Sequence, residues 1–181
     1  MNQDEKTLFE SINSLQKGLG GNNTLQVIHP GAIWAASFTW NAPNEYIVEN
    51  LEELKVKDLP KDLIEFWSHI SDGAILYFDQ KYGQWGYRIY SSLELVDQQE
   101  QWKHLFGDVW GSNFVAIGEV IDDVHPIIAK TDELSMDNLG CSLYEGNPLD
   151  PIKYWARMAS SFHEWLDRLI TAQGAKYWDW T

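Results

Sequence analysis

The stretch LPKDLIEFWSHISDGAILYF (59–78) decides how the chain folds. Pro60 suits the first turn of a helix, because its missing N–H has no partner there in any case. Leu63 and Trp67 recur on one helical face, and Gly73 lets the chain reverse into a short, β-rich run. The stretch therefore predicts a helix, a glycine turn and a strand.

His69 and Asp72 within this stretch raise the question of a chemical site. A histidine near a helix C-terminus gains from the helix dipole without any catalysis. Aspartate is favoured in turns for its backbone hydrogen bonds. We therefore assign structural roles to both residues.

Apolar spacing and turn signals predict further elements along the chain. The predicted helices cover residues 8–19, a segment opened by Pro43, a segment from the capping box Ser91–Glu94 to about Leu105, and a closing helix capped by Asp150, opened by Pro151 and ended by Gly174. The predicted strands are a hairpin in 25–40, then 74–78, 85–90, 114–121, a strand after the turn Asp122-Asp123, and 141–146. Pro126 cannot donate to a ladder, which predicts an irregular or edge position. The order indicates an α+β fold with a mostly antiparallel β-sheet packed by helices and a closing C-terminal helix.

Length and net charge limit the classes of protein to which the chain can belong. A chain of 181 residues suffices for one well-buried domain. Its 13 Lys and Arg stand against 27 Asp and Glu, a net charge of −14 that repels nucleic acid and anionic membranes. The same charge accelerates encounter with a basic partner, although solubility alone also accounts for it. Without a signal-peptide pattern or an apolar run of about 20 residues, we expect a cytoplasmic protein.

Motifs for catalysis or cofactor binding are missing from the sequence. It contains no phosphate-binding glycine pattern, no nucleophile elbow and no zinc-ligand spacing, and Cys141 is the only cysteine. We therefore predict a protein that is not an enzyme and needs no cofactor or metal. One alternative is a hydrolase using His125 with Asp122 or Asp123. The same residues also suit a tight turn, which is the favoured interpretation.

Aromatic residues are more numerous than a core of this size needs, with ten tryptophans in the chain. Aromatic side chains in loops anchor protein interfaces or stack on sugars, and loops concentrate function. The predicted partner-binding residues are Tyr82, Trp85 and Tyr87 around one hairpin loop, Asp108 and Trp110 in the next, and the acidic turn Asp122-Asp123. Carbohydrate binding through Trp85, Trp110 or the C-terminal tail is a weaker alternative.

Three segments together resemble the SUKH superfamily, which includes fungal Smi/Knr cell-wall regulators and bacterial immunity proteins. They are residues 42–76, NFVAIGEVIDD (113–123) and YWARMASSFHEWLDRLI (154–170). Their order and spacing carry the resemblance over about three-quarters of the chain. The family commonly has Asn-Gly where this chain has Asp72-Gly73, and residues 1–40 fit it loosely.

The resemblance implies a SUKH-like α+β domain over 41–174, preceded by a helix and variable strand segment (1–40) that packs on it and followed by an aromatic tail (175–181). It implies binding rather than catalysis, and it supplies no catalytic residues. The leading expectation is an immunity protein that neutralises a cognate toxin of a bacterial polymorphic toxin system, often a nuclease, with a basic toxin domain as partner. The alternative is a regulatory or scaffold protein of the Smi/Knr type with a housekeeping partner.

Overall fold

The computed structural model describes residues 8–29, 32–47, 59–131 and 141–179. These form an eight-stranded sheet in which each strand pairs antiparallel with the next along the chain. The strands are β1 (Thr24–His29), β2 (Ala32–Trp40), β3 (Ala74–Asp79), β4 (Tyr87–Ile89), β5 (Phe114–Val120), β6 (His125–Lys130), β7 (Ser142–Glu145) and β8 (Ala156–Ala159). The helices are α1 (Leu8–Gly18), α2 (Lys61–His69), α3 (Leu95–Phe106) and α4 (Phe162–Thr171), with 3₁₀ turns at 107–109, 152–154 and 177–179. The predicted α+β fold is confirmed.

The sheet has helices on both faces. Successive side chains of a strand point to opposite sides, so β5 contributes to two cores. Val115 and Ile117 pack in the larger core with α1, α2 and α4, whereas Ala116 packs in a smaller, aromatic core with α3. As predicted, β5 is a central strand buried on both faces.

The junction at Gly73 joins α2 to β3. Gly73 has a φ of +91°, and a Cβ built on it would lie 3.0 Å from the Ser91 backbone nitrogen. Both the positive φ and the lack of room for a Cβ atom require glycine at position 73. The predicted helix, glycine turn and strand are all present.

Asp72 has a larger role than the turn that the sequence suggested. Its buried carboxylate accepts hydrogen bonds from the Ser92 backbone N–H at 2.6 Å and from the Ser92 hydroxyl at 2.9 Å. It also accepts one from the Asn44 side-chain amide at 3.3 Å. Asp72 therefore joins the end of α2, the segment before α3 and the segment after β2. His69 is exposed, with its ring centroid 6.1 Å from that of Phe9.

The closing helix is shorter than predicted. Residues 152–154 form a 3₁₀ turn and 156–159 form β8, so that α4 begins at Phe162. Ser161 caps it, accepting a hydrogen bond from the Glu164 N–H at 3.0 Å. Trp155 packs in the aromatic core on one face of the sheet, and Phe162 packs in the larger core on the other. One continuous helix cannot reach both faces, which is why the prediction was wrong.

Of the two positions predicted for Pro126, the edge is wrong, whereas the strand pairing is irregular as predicted, with a register shift between Ala116 and Gly118 of β5. β6 lies between β5 and β7, and Pro126 is near its start. The Pro126 carbonyl accepts a hydrogen bond from the Gly146 N–H at 3.0 Å, just past the last residue of β7. The N–H and C=O of one strand residue point to the same side. The missing N–H of Pro126 therefore faces the end of β7, where the ladder stops.

Several predicted features lie partly or wholly outside the described residues. These are the turn of the hairpin predicted in 25–40, most of the helix opened by Pro43, and the last two residues of the aromatic tail. The N-terminal segment joins the rest of the fold through β2, which pairs with β3, and through the Ser11 hydroxyl, which donates to Asp167 of α4 at 2.7 Å. Of the helices described, none combines the length and apolar character needed to cross a bilayer.

Replacing Asp72 by alanine is expected to lower the free energy of unfolding by about 3 kcal/mol, because the Ser92 N–H and hydroxyl lose their acceptor inside the protein. Urea denaturation followed by tryptophan fluorescence measures this change. Asp108→Ala removes an exposed carboxylate and is the matched control, expected to change stability by less than about 0.5 kcal/mol. Equal stabilities for the two variants would contradict the structural role of Asp72.

Candidate partner-binding site

The β1–β2, β3–β4, β5–β6 and β7–β8 connections all leave the sheet at one end, where the first three meet the C-terminal tail. β4 pairs with β5, and the Ile121 N–H donates to the Gly86 carbonyl at 2.9 Å, which places the β3–β4 loop beside the β5–β6 turn. The β1–β2 hairpin projects past the end of β3 on the same side, since Ala36 pairs with Asp79. The Ile28 N–H is 3.4 Å from the Gln173 side-chain oxygen, which joins this hairpin to the tail.

Lys176 is the centre of the polar contacts at this end. Its ammonium forms ion pairs with Asp123, with Glu145 at 3.1 Å and with Asp122 at 3.8 Å. It also lies 5.8 Å from the ring centroid of Trp85, within the range of a cation–π contact. The predicted acidic turn is therefore paired with a cation from the chain itself.

Glu145 is the second organising residue of this cluster. Its carboxylate accepts hydrogen bonds from Lys176 and from the Trp178 indole N–H at 2.7 Å. Its Oε1 atom lies 3.0 Å from His125 Nδ1. Glu145 thereby fastens the tail to β6 and β7.

These contacts and the burial of the cluster shift the pKa values of its charged groups in different directions. Burial lowers the pKa of Lys176, but the hydrogen bond to Asp123 and the charge of Glu145 outweigh it, so the pKa lies above its usual value. The hydrogen bond from Lys176 keeps the pKa of Asp123 below its usual value. Burial raises the pKa of Asp122. The ion pair therefore favours the charged forms of Lys176 and Asp123, whereas burial disfavours the charged form of Asp122.

Three residues of the cluster are close enough to one another to share a metal ion. One ligand atom from each of Asp123, His125 and Glu145 lies within 4.8 Å of the others. The Lys176 ammonium already contacts both carboxylates, so the cation in this arrangement belongs to the chain. His125, proposed above with Asp122 or Asp123, has Glu145 as its hydrogen-bond partner instead. The sequence offered no signal for Glu145 or Lys176, since they are 31 residues apart and lie in separate elements.

Trp85 and Tyr87 are held by Gly174, the residue that precedes the tail. The Tyr87 hydroxyl donates to the Gly174 carbonyl at 2.9 Å, and the Trp85 indole N–H is 3.3 Å from the same oxygen. Tyr87 is fully buried in β4, so its side chain belongs to the core rather than to the predicted binding loop. Trp85 is half-buried and Tyr82, at the loop tip, is 66% exposed.

Apolar side chains are exposed at the same end. We define the loop-end surface as Ile28, Ile33, Tyr82 and Val124, each of which is more than 60% exposed. Ile28 and Ile33 are cross-strand neighbours in the β1–β2 hairpin. Val124 directly follows the acidic turn.

Asp108 and Trp110 lie elsewhere, at the edge of the aromatic core. The Trp110 ring packs 5.4 Å from Phe106 and 5.9 Å from Phe114, between ring centroids. Trp155 packs against the same two rings at 5.3 and 5.4 Å. The segments that carry Trp110 and Trp155 are therefore neighbours around one aromatic cluster.

Large apolar side chains protrude from both segments. We define the Trp110 surface as Leu105, Val109, Trp110, Leu149, Ile152 and Tyr154. Leu149 is 89% exposed and Tyr154 is 67% exposed. Asp108 is exposed beside Val109, and within the described ranges nothing forms a hydrogen bond or ion pair with its side chain. The sequence suggested Trp110 and the neighbouring Asp108. Leu149 was missed, and Ile152 and Tyr154 were missed because they were assigned to a helix.

An open recess of about 220 Å³ lies at the free edge of β8. It is lined by residues 157–160 of the chain together with Glu164 and Arg168. Arg168 is paired with Glu164 at 2.7 Å, and Arg157 donates to the Ser142 hydroxyl at 3.1 Å. None of the residues predicted to bind a partner lines this recess.

Comparison with known proteins gives one distant similarity and no family. No protein-family model matches the chain. Among curated proteins, "Uncharacterized protein YobM" of Bacillus subtilis (strain 168) is 26% identical over 137 residues, which cover 74% of this chain and 68% of that protein. Its name carries no activity. Membership of the SUKH superfamily therefore stays a prediction from the sequence.

Replacing Lys176 by methionine keeps an unbranched side chain of nearly the same length and removes the cation from three carboxylates. We expect the free energy of unfolding to fall by about 2 kcal/mol at pH 7, between the values typical of exposed and buried ion pairs. Thermal and urea unfolding measure the change. Lys103→Met, which removes an exposed lysine 3.7 Å from Glu100, is the control and is expected to cost less than about 0.5 kcal/mol.

The difference between wild type and Lys176→Met also depends on pH. The lowered pKa of Asp123 stabilises the fold above the usual value of 3.8, and that contribution is lost as the pH falls through the lower folded value. The raised pKa of Lys176 stabilises it below 10.5, and that contribution is lost as the pH rises through the higher folded value. A difference in stability that is constant from pH 3 to pH 8 would contradict the ion pairs.

Proposed function

We propose that this protein is a non-enzymatic binding protein of the immunity type, which neutralises a toxin by binding and occluding it. The observation that carries the proposal is the presence of exposed apolar side chains beside exposed carboxylates on a chain with a net charge of −14. Contiguous exposed apolar residues mark interaction sites, and acidic surroundings select a basic partner. The SUKH resemblance of the sequence supports the same proposal.

A basic toxin domain is the partner that this charge fits. A nuclease binds phosphate backbones with lysine and arginine side chains, so its working surface is positively charged. An acidic protein encounters such a surface rapidly and covers it by competing with the nucleic acid. In this proposal the acidic side chains raise the association rate constant, and burial of the apolar side chains lowers the dissociation rate constant.

The proposal predicts protection of a bacterial host. Induction of the product of the adjacent upstream gene is expected to stop growth, and co-expression of this protein is expected to restore at least about tenfold more colonies, because binding occludes the toxin. The control is an unrelated acidic protein of similar size and net charge. Equal protection by that control, or no protection and no complex between the purified proteins, would reject an immunity role.

The proposal also predicts strong salt dependence of association. Between 50 and 500 mM NaCl the association rate constant is expected to fall by about tenfold or more, because salt screens the attraction between opposite net charges. The dissociation rate constant is expected to change by less than about threefold. Biolayer interferometry with the immobilised partner measures both. An association rate that does not respond to salt would show that the acidic charge serves solubility alone.

A further inference from the structure

The loop-end and Trp110 surfaces differ in what their charged groups already do. At the loop end, Asp122 and Asp123 are paired with Lys176, and that pairing holds the tail. At the Trp110 surface, Asp108 is exposed and has no such cation among the residues described. A partner's basic side chain can bind Asp108 without displacing a group of this chain.

The Trp110 surface also has the firmer support. The Trp155 indole N–H donates to the carbonyls of Asn147 and Asp150, both at 3.2 Å. The Asn147 side chain accepts from the Leu149 N–H at 2.9 Å and donates to Asp150 at 3.0 Å. Leu149 therefore projects from a turn that is fixed on the aromatic core.

Apolar side chains on a fixed backbone are the better anchors for a partner. A residue that is already held in place loses little conformational freedom on binding, so more of its burial contributes to affinity. Tryptophan and tyrosine at the centre of a surface are frequent binding hot spots. Trp110 and Tyr154 flank the aromatic cluster, with Leu149 on the adjacent turn.

We infer that the Trp110 surface is where a basic protein partner docks, placing an apolar pocket over Leu149 and Tyr154 and basic side chains opposite Asp108 and Asp150. The inference rests on the proposed function and adds the surface that performs it. Charge complementarity selects this occupant over a second copy, because two chains of net charge −14 repel each other. Lys153, whose ammonium lies 4.8 Å from the Tyr154 ring centroid, would repel a basic side chain of the partner placed beside it.

The two surfaces offer a closely matched pair of variants. Tyr154 and Tyr82 are 67% and 66% exposed, and each has a lysine over its ring, at 4.8 and 4.7 Å. Leu149 and Val124 are both exposed and apolar, and each lies next to an aspartate in the chain. The test variant is Leu149→Lys with Tyr154→Ser, and the control is Val124→Lys with Tyr82→Ser. All four sites are exposed, so both variants are expected to unfold within a few degrees of the wild type.

Affinity for the upstream gene product, measured by isothermal titration calorimetry, tests the inference. The Leu149/Tyr154 variant is expected to raise Kd by at least about 30-fold, and the Val124/Tyr82 variant by less than about threefold. Equal effects, or a larger loss from the control variant, would overturn the docking surface while leaving the proposed function intact. Failure of the wild type to bind would overturn both.

Sedimentation of the protein alone tests whether a second copy of the chain occupies the Trp110 surface. The wild type is expected to be monomeric at concentrations up to about 100 μM, because of charge repulsion. A dimer that the Leu149/Tyr154 variant dissociates, together with unchanged affinity for the partner, would assign the Trp110 surface to a second copy and overturn the inference.

Discussion

The Asp72 carboxylate fixes how the two faces of the sheet are covered. It binds Ser92, which precedes α3, and it lies at the end of α2, on the way into β3. α2 packs on one face of the sheet, and Trp102 and Phe106 of α3 pack on the other. A buried carboxylate is costly unless hydrogen bonds satisfy it, so these donors must be in place before the two layers are stable. The positive φ of Gly73 brings the backbone close enough to Ser91 for this geometry.

The tail completes the larger core at the opposite end of the same face. Gly174 has a φ of +83°, and a Cβ built there would lie 2.5 Å from the Tyr77 ring. This close approach directs its carbonyl to the Tyr87 hydroxyl and sets the path of the residues that follow. Lys176 and Trp178 then both reach Glu145. The acidic residues of this end thus contribute to the fold, in addition to any role in binding.

Sequence reasoning succeeded where the signal was local and failed where partners come from distant segments. The stretch 59–78 and the capping box Ser91–Glu94 carry their own start and stop signals, and the structure has them as expected. The closing helix was predicted to begin at Pro151 rather than at Phe162, because apolar residues in 152–159 matched helical spacing by coincidence. A second capping pattern, Ser161 followed by Glu164, marked the true start. The pairing of Lys176 with Asp123 has no counterpart in local spacing.

Contacts with distant segments also divide the predicted site residues into two groups. Residue type and loop position identified Trp85, Asp122 and Asp123 as available for binding, yet the fold uses all three to hold the tail. The identical criterion selected Asp108 and Trp110, which the fold leaves at the rim of a rigid aromatic cluster. Exposure alone does not separate the two groups. What separates them is whether a charge is already matched by an opposite charge within the chain, since a carboxylate whose charge is already balanced attracts a further cation less strongly.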